Sequence, residues 1–253
     1  MQIESEFFSL PKSGNHKDEY EDAFNRGTLV NKGTAYYRFA IADGASESSF
    51  ADIWADLLAS GYCNGKFDST QIQKSISKLS KAWKRQLNGK ALPWYAQEKL
   101  HSGAFSTLAG ITFRLTDAPS VAFDAVAIGD SCIAHIRSDK IIAFFPLGSI
   151  DDFHNRPVLI SSNAVNNLHL TSFVKKWTGT AQAGDSFLLM TDALACWVLT
   201  RYEEDTSVIK KIHGLACEQD FINLVEVERQ SIRRDGSIYL RNDDVTLVRV
   251  NLL

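Results

Sequence analysis

Residues 34–44 read TAYYRFAIADG, an apolar and aromatic run that stops at an Asp-Gly pair. This composition favours a β-strand, and Asp-Gly is a common turn. A second run, LLMTD at 188–192, also places an aspartate directly after a strand-like apolar segment. A solvated turn would accept many polar residues at these positions. Aspartate at the ends of buried strands is therefore the feature around which we interpret this sequence.

Further strands and helices are predicted on both sides of residues 34–44. Upstream, two short strands flank a polar loop, Pro11–Asp22. Downstream, apolar residues at helical spacing predict helices beginning near Phe50 and covering Ile72–Leu87, and a third helix is predicted from Trp94 toward Ser102. The predicted strands are Ile3–Leu10, Phe24–Val30, Thr34–Ala42, Phe105–Leu115, Val121–Ile128, Cys132–Ile136, Ile141–Phe145, Ser186–Thr191 and Val245–Leu252, and the later helices are Ala193 to about Arg201 and Gln219 to Arg234.

The order of these elements predicts the fold class. Successive strands joined by turn residues indicate a mostly antiparallel sheet, and the segment up to Gly179 is predicted to be irregular with short helices. Strands followed by pairs of helices are typical of α+β layers and not of a doubly wound βαβ sheet. No Pro-, Ser- or Gly-rich linker and no repeat interrupts the sequence. We therefore expect one domain over residues 1–253.

Composition excludes several classes of protein. The 253 residues are 45% hydrophobic, and 27 Lys and Arg balance 30 Asp and Glu. A formal charge of -3 does not favour nucleic acid or anionic lipid as a partner. The four cysteines form no CxxC pair, and no apolar run has the ~20 residues of a membrane span. The sequence predicts a reduced cytoplasmic protein that does not enter a membrane.

Acidic residues recur beside the ends of the predicted strands. Strand ends at one edge of a sheet converge in space, and carboxylates that meet there repel one another unless a cation lies between them. An all-oxygen ligand set suits Mg²⁺ or Mn²⁺. The alternative is that each Asp and Gly only marks a turn. The clusters are Glu21-Asp22, Asp43-Gly44, Gly129-Asp130, Thr191-Asp192 and Asp243-Asp244.

The order of these clusters resembles the metal-dependent Ser/Thr protein phosphatases of type 2C, as a divergent member of the bacterial type. The resemblance extends along almost the whole chain and rests on six short motifs in the family's order. They are Tyr20-Glu21-Asp22-Ala23-Phe24, Ile41-Ala42-Asp43-Gly44, Gly103-Ala104-Phe105-Ser106-Thr107-Leu108, Gly129-Asp130-Ser131, Gly184-Asp185 with Phe187 to Asp192, and Asp243-Asp244-Val245-Thr246.

The resemblance implies a fold and a metal centre. The fold is a sandwich of two mostly antiparallel β-sheets flanked by helix pairs, with two Mg²⁺ or Mn²⁺ ions at one end. Asp43 would bridge both ions, and a water between them would attack the phosphorus of a phosphoserine or phosphothreonine. The partner would be a phosphorylated protein, such as a Ser/Thr kinase or its target. The implied ligands are Glu21 or Asp22 with the Gly44 carbonyl at one ion, and Asp192 and Asp243 at the other.

Four positions depart from the family pattern, and the mildest change is Ala193, which stands where the family has the glycine of its Ser-Asp-Gly signature. Lys17 stands where the family usually has a phosphate-binding arginine, so the phosphate contact would come from a point charge. Ala45 stands where many relatives have a histidine. Cys196 replaces an acidic residue that, in many relatives, supports a third and weaker metal together with the aspartate at position 130. Asp130 is accordingly a candidate ligand of a weak third ion, and we interpret Cys196 as a core residue.

Three hypotheses follow from the sequence. The first is a metal-dependent protein phosphatase that uses the residues named above. The second is a phosphatase-like module that binds a phosphorylated partner and turns over poorly, which the changes at Lys17, Ala45 and Cys196 favour. The third is a β-sandwich whose acidic turns are purely structural.

Overall fold

The computed structural model describes residues 1–88, 102–115, 120–153 and 156–253, and in this part of the chain the strands form two five-stranded antiparallel sheets. The first sheet has the order β1-β12-β11-β7-β8, and the second has the order β10-β6-β5-β3-β2. A short pair, β4 and β9, lies apart from both. The strands are β1 (Ile3–Leu10), β2 (Ala23–Asn31), β3 (Thr34–Ala42), β4 (Phe105–Ser106), β5 (Leu108–Leu115), β6 (Ser120–Ile128), β7 (Cys132–Arg137), β8 (Lys140–Phe145), β9 (Ile160–Ser161), β10 (Lys175–Gln182), β11 (Asp185–Met190) and β12 (Val245–Leu252).

The two sheets pack face to face through an aromatic core. Alternate residues of each strand point between the sheets, because successive side chains of a strand lie on opposite faces. Phe187 on β11 is fully buried there, with its ring centroid 5.0 Å from that of Phe113 and 5.1 Å from that of Phe123. His135 stacks on the same ring at 4.2 Å. This cluster joins the sheets across the centre of the sandwich.

Helices cover the outer face of each sheet. The described helices are α1 (Ala51–Cys63), α2 (Ile72–Leu87), α3 (Asp192–Glu204), α4 (Val208–His213) and α5 (Glu218–Gln230). Trp54 and Leu58 of α1 pack with Ile76 of α2 in the core beside the second sheet. Helix α1 lies so close to β5 that a Cβ on Gly110 would come within 2.7 Å of the Tyr62 ring. Helices α3 to α5 form the corresponding core beside the first sheet.

Most of the predicted elements are confirmed, and the α+β sandwich is the observed fold. Three predictions are wrong. The predicted strand Phe105–Leu115 is divided at Thr107 into β4 and β5, which belong to different sheets. Strand β10 (Lys175–Gln182) includes residues 175–179, for which the sequence predicted irregular structure. This edge strand buries Ala181 but exposes most other positions, so it lacks an apolar pattern. Helix α5 ends at Gln230 and not at Arg234. Helix α4 has no counterpart among the predicted elements. The helix predicted from Trp94 toward Ser102 lies outside the described residues, apart from Ser102 itself.

The antiparallel registers bring several strand ends to one end of the sandwich. Ala23 at the start of β2 pairs with Ala42 at the end of β3. In the other sheet, Met190 at the end of β11 pairs with Leu247 near the start of β12. The residues just beyond these pairs are the predicted acidic clusters, so the fold gathers them as the sequence predicts.

None of the helices in the described ranges has the length and apolar character needed to cross a bilayer.

Truncating the central aromatic side chain tests how far the two sheets depend on each other. We expect Phe187→Ala to lower the free energy of unfolding by about 3–5 kcal/mol, because it opens a cavity between the sheets. Val30→Ala, at a position that is 72% exposed, should change it by less than about 0.5 kcal/mol. Urea unfolding of both variants measures the difference, and equal losses would contradict this description of the core.

Candidate metal centre

Asp43 is held at the end of β3 by main-chain hydrogen bonds to the β4–β5 junction. Its N–H donates to Thr107 Oγ1 at 3.0 Å, and its carbonyl accepts from the Thr107 N–H at 2.9 Å. The Thr107 hydroxyl also shares a 2.6 Å hydrogen bond with the hydroxyl of Ser131. These contacts tie the Asp43 backbone to the loop that carries Asp130.

Gly44 follows at a point where no side chain fits. A Cβ at this position would lie 2.5 Å from the carbonyl oxygen of Glu21. The main chain of Gly44 can therefore approach the Glu21-Asp22 segment as closely as it does. This close approach explains in physical terms why glycine follows Asp43.

Asp22 is buried against the start of β12. Thr246 Oγ1 donates to its carboxylate at 2.8 Å, and the Tyr20 hydroxyl bonds to the same threonine. The Thr246 N–H donates to Thr191 Oγ1 at 3.0 Å, which links this carboxylate to the residue before Asp192. Burial, followed by the negative charge of Asp244, raises the pKa of Asp22 well above its ordinary value.

Asp192 and Asp243 share one cation. Asp192 is the first residue of α3, and Asp243 precedes β12. Arg241 Nη2 donates to the Asp192 carboxylate at 2.5 Å and to the Asp243 carboxylate at 2.9 Å. Its Nε donates to Asp243 as well, at 3.1 Å. A guanidinium therefore lies between the two carboxylates assigned by resemblance to one metal.

Two further predicted acids have raised pKa values. Burial raises the pKa of Asp43 well above its ordinary value, and the charges of Asp22, Asp192, Asp130 and Asp243 raise it further. Burial, followed by the charge of Asp192, raises the pKa of Asp130 to about 7. These carboxylates raise one another's pKa, which is the electrostatic condition that favours divalent metal binding.

A cavity of about 410 Å³ opens on this cluster. Pro157 and Leu159 form an apolar part of its wall, and Ala45 to Glu47 line another part. Its acidic lining consists of Asp43, Asp130, Asp192, Asp243 and Glu47, with the main chain of Gly44 beside them.

The carboxylates lie near one another, but the spacing of their side chains is not that of a set of metal ligands. Among the described residues, no three His, Cys, Asp or Glu side chains form a ready ligand group. The Arg241 guanidinium bonds to both Asp192 and Asp243. The donor chemistry fits Mg²⁺ or Mn²⁺, whereas the side-chain arrangement is that of a site closed on an arginine.

Glu21 reaches the cluster through its backbone. Its N–H donates to Asp244 Oδ2 at 2.8 Å, and Lys12 N–H donates to Asp244 Oδ1 at 2.8 Å. Asp244 thus clamps both ends of the polar loop to the start of β12. Burial raises the pKa of Glu21, although a hydrogen bond from Ser46 and the charge of Lys12 oppose this shift.

Lys17 is not brought into the described contacts of the cluster. Its side chain is 90% exposed, and its Nζ lies 4.0 Å from Glu218 Oε1. Lys12 is the lysine of the same loop that reaches the cavity rim, where its Nζ donates to Ser46 Oγ at 3.3 Å. Sequence reasoning did not identify Lys12 or Arg241, because no motif distinguishes them from other exposed cations.

Cys196 lies one turn after Asp192 on α3 and is partly buried. Burial raises the pKa of its thiol, which disfavours the nucleophilic thiolate. Its neighbours Ala195 and Trp197 are more deeply buried, so the interpretation of Cys196 as a core residue is only partly correct.

Comparison with known proteins places this geometry on a known fold. No family model matches the sequence, and no curated protein matches it. The structure is similar to the photosystem II phosphatase PBCP over 100% of this chain and 99% of that chain, with a TM-score of 0.61 and 13% identity. It is also similar to the serine/threonine phosphatase PstP of Mycobacterium tuberculosis over 99% and 98% of the two chains, with a TM-score of 0.57 and 16% identity.

The catalytic domain of PstP in complex with two manganese ions gives a TM-score of 0.57 at 16% identity, over 98% of this chain and 97% of that chain. At such identities the likeness concerns the fold. The chain has the fold of the metal-dependent phosphatases that its motifs resemble, so the resemblance is confirmed at that level.

The raised pKa of Asp130 predicts a pH dependence of stability in metal-free protein. The folded state keeps a proton on Asp130 that the unfolded state loses above pH ~4, so the contribution of Asp130 to stability decreases as the pH rises from about 4 to about 7 and then levels off. Asp130→Asn should remove up to about 4 kcal/mol of this decrease, at about 1.4 kcal/mol per pKa unit. Urea unfolding of both proteins in chelator across this range measures it, and parallel pH profiles would contradict it.

Proposed function

We propose that this protein hydrolyses phosphoserine or phosphothreonine in a protein substrate and depends on Mg²⁺ or Mn²⁺. One observation carries the proposal: the partly buried carboxylate of Asp43 lies at a cavity, with the charges of Asp22, Asp130, Asp192 and Asp243 acting on it. Such crowding is costly to the fold and is relieved by divalent cations. The fold shared with PBCP and PstP supports the same reaction class.

The predicted ligands would be distributed between the two ions as the motifs imply. Asp43 would bridge two ions, Gly44 would contribute its carbonyl to one with Glu21 or Asp22, and Asp192 and Asp243 would hold the other. Asp130 is the candidate for a weak third ion. When bound, the ions would supply an activated water and neutralise phosphoryl oxygens.

The protein's own residues position the proposed metal ligands and form the cavity for the substrate. Thr107 fixes the Asp43 main chain, and Thr246 orients the Asp22 carboxylate. Asp244 holds the loop that carries Glu21. The cavity of about 410 Å³ is large enough for a phosphorylated side chain. Its acidic lining would repel a phosphate dianion without metal, so we expect substrate binding to require the cation.

Replacing the central carboxylate tests the proposed function. We expect Asp43→Asn to lose ~100-fold or more of the Mn²⁺-dependent hydrolysis of a phosphopeptide, because charge stabilisation at the reacting group is removed. It should also lose the rise in melting temperature that Mn²⁺ gives the wild type.

Asp124→Asn is the matched control. Asp124 is an exposed carboxylate within β6 and does not line the cavity, so its replacement should leave both readouts unchanged. Equal activity of Asp43→Asn and wild type would overturn the proposal. Phosphopeptide binding without turnover in the wild type would favour the binding-module hypothesis.

The two loop lysines make a separate prediction about phosphate contact. We expect Lys12→Ala to raise the KM for a phosphopeptide by roughly tenfold, since Lys12 reaches the cavity rim and a charged hydrogen bond is worth about 1.5–3 kcal/mol. Lys17→Ala should change it less, because Lys17 is 90% exposed beside Glu218. Steady-state kinetics of the two variants compare them, and the reverse order would restore Lys17 as the principal phosphate contact.

A further inference from the structure

Arg241 occupies the position between two carboxylates that the proposed function assigns to a metal ion. Three of its hydrogen bonds, at 2.5, 2.9 and 3.1 Å, go to Asp192 and Asp243. A guanidinium is a fixed fork of donors that matches carboxylates, so this arrangement is a specific ion-pair cluster. It satisfies the same two groups that a divalent cation would need.

The main chain beside Arg241 is held by contacts of its neighbours that do not involve the Arg241 side chain. Asn242 Oδ1 accepts from Ser13 N–H at 2.7 Å, and Asn242 Nδ2 donates to the Ser13 carbonyl at 3.2 Å. Arg229 Nη2 donates to the Asp243 carbonyl at 2.5 Å. The Arg241 side chain is 53% exposed. We therefore expect it to leave the carboxylates by rotation of its own side chain once these hydrogen bonds break, with the loop held in place.

We propose that Arg241 is an internal counter-cation that competes with the divalent metal for Asp192 and Asp243 and thereby sets the metal affinity of this centre. The proposal rests on the proposed function for the identity of the site. In metal-free protein the guanidinium reduces the repulsion between the two carboxylates. Metal binding has to break its hydrogen bonds, so the apparent metal affinity is lowered by the fraction of molecules closed on the arginine.

This competition couples metal occupancy to the chemistry of the cavity. Arg241 lines the same cavity as Asp43 and Asp130. A guanidinium released from the carboxylates stays at the cavity and brings its positive charge to the place where a phosphoryl group would enter. The centre would thus gain a second cation for substrate only when its metal is bound.

Calorimetric titration of chelator-stripped protein with Mn²⁺, in the absence of substrate, tests the proposal. We expect Arg241→Gln to bind Mn²⁺ about tenfold more tightly than the wild type, which corresponds to about 1.4 kcal/mol. In chelator the same variant should melt at a lower temperature, because Asp192 and Asp243 lose their counter-cation. Arg241→Lys keeps the positive charge but not the paired N–H donors of the guanidinium. Its Mn²⁺ affinity should lie between those of the wild type and Arg241→Gln.

Arg234→Gln is the matched control for net charge. Arg234 is exposed nearby in the chain, and no contact between it and these carboxylates is found among the described residues. Its replacement should leave the Mn²⁺ affinity within about twofold of wild type. An Arg241→Gln affinity no tighter than that of Arg234→Gln would overturn the proposal.

Failure of this inference and failure of the proposed function give different results. If the wild type hydrolyses a phosphopeptide with Mn²⁺ but Arg241→Gln binds the metal no more tightly, only the role of Arg241 is lost. If Arg241→Gln binds more tightly but neither loaded protein has activity, the competition stands and the phosphatase function is lost. If neither protein binds Mn²⁺, both are overturned.

Discussion

Mutual repulsion among crowded, partly buried carboxylates is the constraint on which this end of the molecule depends. Burial and four neighbouring acids raise the pKa of Asp43, and no fold gains stability from such an arrangement by itself. The aromatic core around Phe187 lies between the two sheets and supplies the packing that tolerates it. The site therefore lowers the stability of the fold locally, and packing elsewhere in the sandwich compensates for it, as is common for functional centres.

Neutral donors and a few cations hold these acids in place. Threonine hydroxyls at 107, 191 and 246 take up main-chain and carboxylate groups at the strand ends. Asp244 binds two backbone N–H groups of the polar loop and so turns one acid into a structural clamp. Arg229 bonds to the carbonyls of Pro11 and Asp243, which joins the same loop to the start of β12. Positioning and binding are therefore divided among different side chains of one cluster.

The departures from the family pattern acquire different meanings in three dimensions. Lys17, which the motif order placed at the phosphate, lies exposed beside Glu218, whereas Lys12 reaches the cavity rim. Cys196 is a partly buried thiol with a raised pKa, one turn from Asp192. Arg241 belongs to none of the motifs, yet it makes the most direct contacts to the proposed metal ligands. The cations that contact the site are therefore not the one that the motifs predicted.

The local sequence pattern alone determined the strands with strong apolar alternation and the helix over 72–87. It also determined the α+β class and the acidic residues at the strand ends. Each of these features depends on a few neighbouring residues. The local pattern could not reveal β10, whose edge position leaves it with little apolar signal. Nor could it find the Arg241 bridge or the Asp244 clamp, since Arg241 joins Asp192 across 49 positions and Asp244 joins Lys12 across 232. Such contacts exist only after the registers of two sheets have brought distant strand ends together, and that is a property of the packed chain and not of any segment.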